Sequence, residues 1–133
     1  MREKNVQFIG KINLEIYRCV ARDIAIDDVV ITEKQIKHIF EDHPEKEHAN
    51  VIARLKAAIL EPDYILKDAA PRTAVVFKQF VVQDERYRII LKLAAADDPI
   101  HPLNSIITAF YISEKKWNKS LRNKTILYKR GDL

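Results

Sequence analysis

His38 and His43 lie on or just beyond one short predicted helix, within the stretch TEKQIKHIFEDHP at residues 32–44. An imidazole titrates near pH 6.5, so it can take a proton from a ribose 2′-hydroxyl or hand one to a leaving oxygen. Further along, Lys78, Arg88 and Lys92 interrupt otherwise apolar strand patterns. Their charge can offset the negative charge that builds on phosphorane oxygens during phosphodiester cleavage. Thr108 falls between Ile106 and Phe110 on one face of a further strand, where its hydroxyl can donate to a phosphate oxygen. Gathered in one cationic cleft between helix and sheet, such a set suits RNA cleavage without a metal. The chain holds no HxxxH, HExxH or CxxC pair, so neither a metal centre nor a cofactor is expected.

The elements that must position these residues follow from the hydrophobic period. Thr32 and Gln35 form a capping-box pattern, and Ile36, Ile39 and Phe40 make an apolar stripe. The spacing predicts a helix over 33–42 that Pro44 ends. At about 100° per residue, His38 points away from that stripe while His43 projects over it. A second helix is expected over 45–60, with Val51, Ile52, Leu55, Ala58 and Ile59 on one face. After Glu61-Pro62-Asp63 the period becomes two, predicting strands at 64–67, 73–83, 87–94, 105–112 and 125–129. Ser113 caps a short helix through Leu121, and residues 6–31 read as two or three strands or extended arms. The plan is α+β: N-terminal helices packed on one face of a four- to five-stranded antiparallel sheet. A single domain over 1–133 is expected, with an arm at 1–31, helices at 32–61 and the sheet at 64–130.

Composition narrows the class. At 133 residues, with 47% hydrophobic and 32% charged residues, the chain can bury one real core. No apolar run approaches the roughly 20 residues that span a bilayer, and the N-terminus lacks the apolar core of a signal peptide. One cysteine, Cys19, excludes an internal disulfide framework, so a cytoplasmic location is expected. Net charge is +4, with a pI near 9.2, which permits a polyanionic partner without requiring one.

Several stretches also carry a resemblance: IGKINLEIYRCV leading to DVVIT, HIFEDHP, EPDYIL, VVFK, NSIITAFYI and the terminal LYKR. In that order they resemble the phage-associated branch of the barnase–EndoU–colicin–RelE-like (BECR) ribonuclease group. The resemblance covers roughly Phe8 to Arg130. It implies a compact α+β domain with N-terminal helices on a four-stranded antiparallel sheet, and metal-independent ribonuclease activity in a phage or mobile-element effector or toxin. Carried over by position, it points to His38, His43, Lys78 and Thr108 as catalytic candidates. Arg88 and Lys92, with Lys129 and Arg130 of LYKR, complete the set as substrate-binding cations. RNA is the expected partner, and an immunity or antitoxin protein is a candidate second one.

Two functions remain in play: a ribonuclease, and a non-catalytic nucleic-acid-binding or protein-interaction domain on the same fold. Convergence of His43, Lys78 and Thr108 in one concave site favours the first, and scatter favours the second. Under the first, loss of an acid–base group costs about 10²–10⁴-fold in rate. His43→Ala and Lys78→Ala are expected to lose that much and His38→Ala less, measured on RNA after circular dichroism shows equal folding.

Overall fold

The computed structural model describes residues 5–42, 44, 47–82, 84–95 and 103–133. His43 and His101 lie outside the described residues. The chain runs β1 (Val6–Lys11), α1 (Leu14–Tyr17), β2 (Asp28–Thr32), α2 (Glu33–Asp42), α3 (His48–Leu60), β3 (Tyr64–Lys67), β4 (Thr73–Phe80), β5 (Glu85–Lys92), β6 (Asn104–Tyr111), α4 (Glu114–Asn123) and β7 (Ile126–Lys129). The strands form one sheet in the order β1-β2-β6-β5-β4-β3-β7.

The α+β class stands, but the sheet differs from expectation in two ways. It has seven strands rather than four or five, and it is mixed, because β2 pairs in parallel with β6. The cause lies in DVVIT. Val29 and Ile31 are fully buried and Val30 nearly so, so both faces of the strand are covered, as suits an inner strand of the sheet. β1 supplies one neighbour as an antiparallel partner, and β6 supplies the other. Residues 6–31 are therefore part of the sheet and its core rather than an arm. Within them LEIY is helical, not extended: the Asn13 carboxamide caps the turn by accepting from the Glu15 amide at 3.0 Å.

Three helices, α1 to α3, cover one face of the sheet. Tyr17, Ile39, Leu55 and Ile59 meet Val76, Ile89 and Leu91 in the main core. Tyr17 is fully buried, its hydroxyl donating to the Ile59 carbonyl at 2.7 Å, and burial pushes the phenol well above its ordinary range. Thr32 accepts from the Gln35 amide at 3.2 Å, so the expected cap starts α2 directly from the end of β2. α3 crosses β1 so closely at Gly10 that a Cβ there would lie 2.9 Å from Cγ of Lys56.

The helices do not all pack on one face, as expected, because α4 lies on the other. There Trp117 meets Phe77 at 4.8 Å between ring centroids and Tyr64 at 6.1 Å. Leu66, Val75 and Leu121 complete this second, smaller core.

Asn104 joins the parts. Its Oδ1 accepts from the Ala94 amide at 2.7 Å, and its Nδ2 donates to the carbonyls of Ile26 and Asp28 at 2.7 and 2.9 Å. The residue is completely buried. Asn104→Leu strands three backbone groups at the β2–β6 junction. It is expected to cost at least about 3 kcal/mol of unfolding free energy, read from urea denaturation.

Candidate functional site

Strand alternation decides which predicted residues can meet. On β4, Ala74, Val76 and Lys78 face the helices, while Val75 and Phe77 face α4. On β5, Tyr87, Ile89 and Leu91 face the helices, and Arg88, Ile90 and Lys92 the other side. Register pairs Lys78 with Tyr87 and Phe77 with Arg88. Lys78 and Arg88 therefore sit one residue apart on neighbouring strands yet emerge on opposite faces. The expected cleft holding Lys78, Arg88, Lys92 and Thr108 together is corrected by this geometry.

Thr108 needs a second correction. A bulge in β6 gives Ile90–Thr108 and Leu91–Ile106 as register pairs and leaves Ile107 between them. The extra residue reverses the alternation. Ile106 and Ala109 then enter the main core, while Thr108 turns to the same face as Phe110 and away from Ile106.

Lys78 is already engaged. Only 8% exposed, its Nζ donates to the Glu61 carbonyl at 2.8 Å and lies 3.3 Å from Asp63 Oδ1. The buried Asp63 carboxylate also meets Arg130 Nη1 at 3.0 Å and accepts from the Gln79 amide at 2.8 Å. Arg130 additionally pairs with Asp132 at 2.6 Å. The cluster ties the end of α3 and the starts of β3 and β7's tail to β4. An ammonium waiting unpaired in an apolar row, as the sequence suggests for Lys78, is not what forms. Lys78 in that row is itself a signal that a carboxylate partner exists, and that partner is Asp63 of EPDYIL.

The opposite face carries a more open set. Arg88 sits over the Phe110 ring with its guanidinium carbon 5.3 Å from the centroid. Thr108 follows two residues before Phe110, with Ile90 between it and β4, and Lys92 pairs in register with Ser105 at the far end. All of these side chains are half-buried, and Ile107 beside them is 45% exposed. Neither Arg88 nor Lys92 makes an ion pair among the described residues. An arginine fork can hold a phosphate in two hydrogen bonds. A half-exposed aromatic ring offers a platform for a base, and a hydroxyl can donate to phosphate.

The two described histidines, His38 and His48, lie elsewhere. His38 projects outward from α2 with Nδ1 3.5 Å from Glu41 Oε1. His48 opens α3, its ring stacked on Phe40 at 5.0 Å. Lys129 is exposed on the edge strand β7, pairing with Tyr64, so α4 and its Trp117 stand between it and Arg88. Among the described residues no group of three or more His, Cys, Asp or Glu gathers as metal ligands would, and no helix is long and apolar enough to cross a membrane.

A helix-backed mixed sheet with a cationic, partly aromatic open face is an arrangement a nuclease can use, and family comparison bears on this directly. Residues 6–129 match the family described as phage-Barnase-EndoU-ColicinE5/D-RelE like nuclease 2, and the chain belongs to it. No curated protein and no solved structure matches the chain.

The Lys78 cluster generates its own prediction. Lys78→Met keeps the apolar stem but leaves Asp63 one cation short. It should lower stability by about 3 kcal/mol in urea denaturation, the cost of breaking a buried pair.

Proposed function

We propose that the protein is a metal-independent endoribonuclease that takes an RNA strand on the sheet face carrying Arg88, Lys92, Thr108 and Phe110. The observation that carries this reading is the Arg88–Phe110 pair: a phosphate fork and a stacking ring held together on an open face. Membership of a nuclease family supports the chemistry. In the proposed reaction the 2′-hydroxyl gives up its proton and its oxygen bonds to phosphorus. The bond from phosphorus to the 5′-oxygen breaks, and that oxygen takes a proton. Products are a 2′,3′-cyclic phosphate and a 5′-hydroxyl.

Arg88 takes the role of stabilising phosphorane charge that the sequence had suggested for Lys78. Thr108 donates to a phosphate oxygen, and Lys92 holds the neighbouring phosphate. His43 is the proton-transfer group that the family resemblance proposes, although α2, which it follows in sequence, packs on the face opposite Arg88. His38, paired outward with Glu41, is assigned no contact with substrate. The biological setting proposed is an effector or toxin domain of a phage or mobile element acting in the cytoplasm, with an immunity or antitoxin protein as its counterpart.

Two observations favour a second reading, a non-catalytic RNA-binding domain. Lys78 and Thr108 emerge on opposite faces of the sheet, and among the described residues no histidine lies on the Arg88 face. Incubation of the purified protein with total RNA in EDTA separates the two. Cleavage is expected to persist, to leave 2′,3′-cyclic phosphate ends, and to fall about 10²–10⁴-fold in His43→Ala. Arg88→Ala should fall by about 10²-fold or more. Activity abolished by EDTA and restored by Mg²⁺ rules out the mechanism. RNA retained but never cut supports the binding domain.

A further inference from the structure

The formal charge of +4 is unevenly placed. Between Glu114 and Lys124 stand Lys115, Lys116, Lys119, Arg122 and Lys124, against the single carboxylate of Glu114. That segment alone carries a surplus equal to the net charge of the whole chain. All five cations are exposed, and none makes an ion pair among the described residues. Elsewhere several cations are matched: Lys11 with Asp27 and Asp28, Arg54 with Glu85, Arg72 with Asp23, Lys78 and Arg130 with Asp63.

The ridge is held in a fixed place. Trp117 and Leu121 turn inward onto Phe77, Tyr64 and Leu66. At about 100° per residue, Lys115, Lys119 and Arg122 then fall on the outward side at i, i+4 and i+7. The three form one row about 10 Å long. At the start of the helix Glu114 meets Arg86 of β5 at 3.8 Å, which sets the row beside the strand bearing Arg88. The helix and the open strip share one face of the sheet.

We propose that the outward row of α4, Lys115, Lys119 and Arg122, is a second docking surface for the RNA phosphate backbone, continuous with the Arg88 face. This rests on the reading of that face as an RNA site and extends it to strands longer than the reacting dinucleotide. The ridge has no carboxylates to offer a cationic partner and no apolar residues for a lipid core. It offers regularly spaced charge on a rigid rod, which suits a repeating anion.

The test measures binding, not cleavage. A fluorescent RNA oligonucleotide with 2′-O-methyl groups throughout cannot be cut and reports affinity by anisotropy across a salt series. Each cation lost from contact with a single strand lowers the log–log salt slope by about 0.7. Lys115→Gln/Lys119→Gln/Arg122→Gln, a triple variant with helix propensity preserved, should therefore lose about 2 from the slope. Affinity should fall on the order of fiftyfold at physiological salt. A mononucleotide, which cannot occupy both surfaces at once, should bind the triple variant and the native protein alike. An unchanged slope for the long strand overturns the proposal. So does loss of binding to poly-glutamate alone with RNA binding intact, which would mark the ridge as a seat for an acidic protein. If the native protein binds the long strand through α4 but cuts no RNA, the docking surface stands and the nuclease reading fails.

Discussion

One buried carboxamide makes the sheet a single unit. Asn104 binds a donor at the end of β5 and two carbonyls flanking the start of β2, while its own strand lies between them. A parallel pair cannot be closed by a tight turn, and here β2 and β6 are separated in sequence by two helices and three strands. Something other than a hairpin must therefore fix their register. Asn104 has both donors and an acceptor in one rigid group, and burial removes water as a competitor. With that junction fixed, α2 starts from β2 at a set position, and α2 and α3 are laid over the same face as Tyr87 and Ile89. Everything the helices cover, and everything they leave open, follows from it.

The open strip is a consequence of that division. α1 to α3 cover most of one face, whereas α4 alone cannot span a seven-stranded sheet. It covers β3 and β4, and the β5–β6 strip beside it stays half-exposed. The β6 bulge then chooses which side chains occupy the strip. Without the extra residue at Ile107, Thr108 would share the face of Ile106 and be sealed under the helices. With it, Thr108 joins Phe110 and Arg88. A one-residue irregularity of this kind reverses the faces of half a strand.

That is also where the sequence stopped being readable. The long periodic elements were legible: α2 ends at Asp42 and α3 at Leu60, and the β4–β5 hairpin turns at Asp84, whose φ of 50° asparate tolerates. Ser113 caps α4 as expected, accepting from the Lys116 amide at 3.2 Å. The bulge was not legible, because SIITAFY alternates equally well without one. Nor was the helicity of LEIY, four residues whose capping residue, Asn13, decides the matter. The parallel pairing of DVVIT depends on a contact 76 residues away, between Asn104 and Asp28, which no local pattern encodes. For the site, residue types were informative and faces were not. Arg88, Lys92 and Thr108 share one face of the sheet, but Lys78 belongs to the other.

The contrast between Lys78 and Arg88 carries a general consequence for charge in this fold. Desolvating an ammonium costs several kcal/mol even after the protein relaxes around it. A site that relied on substrate to relieve that cost would be destabilised whenever substrate was absent. Lys78, under the helices, accordingly comes with Asp63 and the Glu61 carbonyl already in place. Arg88 meets a different solution. It is half-exposed, so water shares its charge, and the Phe110 ring orients its plane without neutralising it. A cation held by a carboxylate has its strongest hydrogen bonds already spent, whereas one held by an aromatic face keeps its outer N–H groups for an anion. Of two neighbouring cations in one hairpin, the buried one therefore serves the fold, and the one against the ring is equipped to meet phosphate.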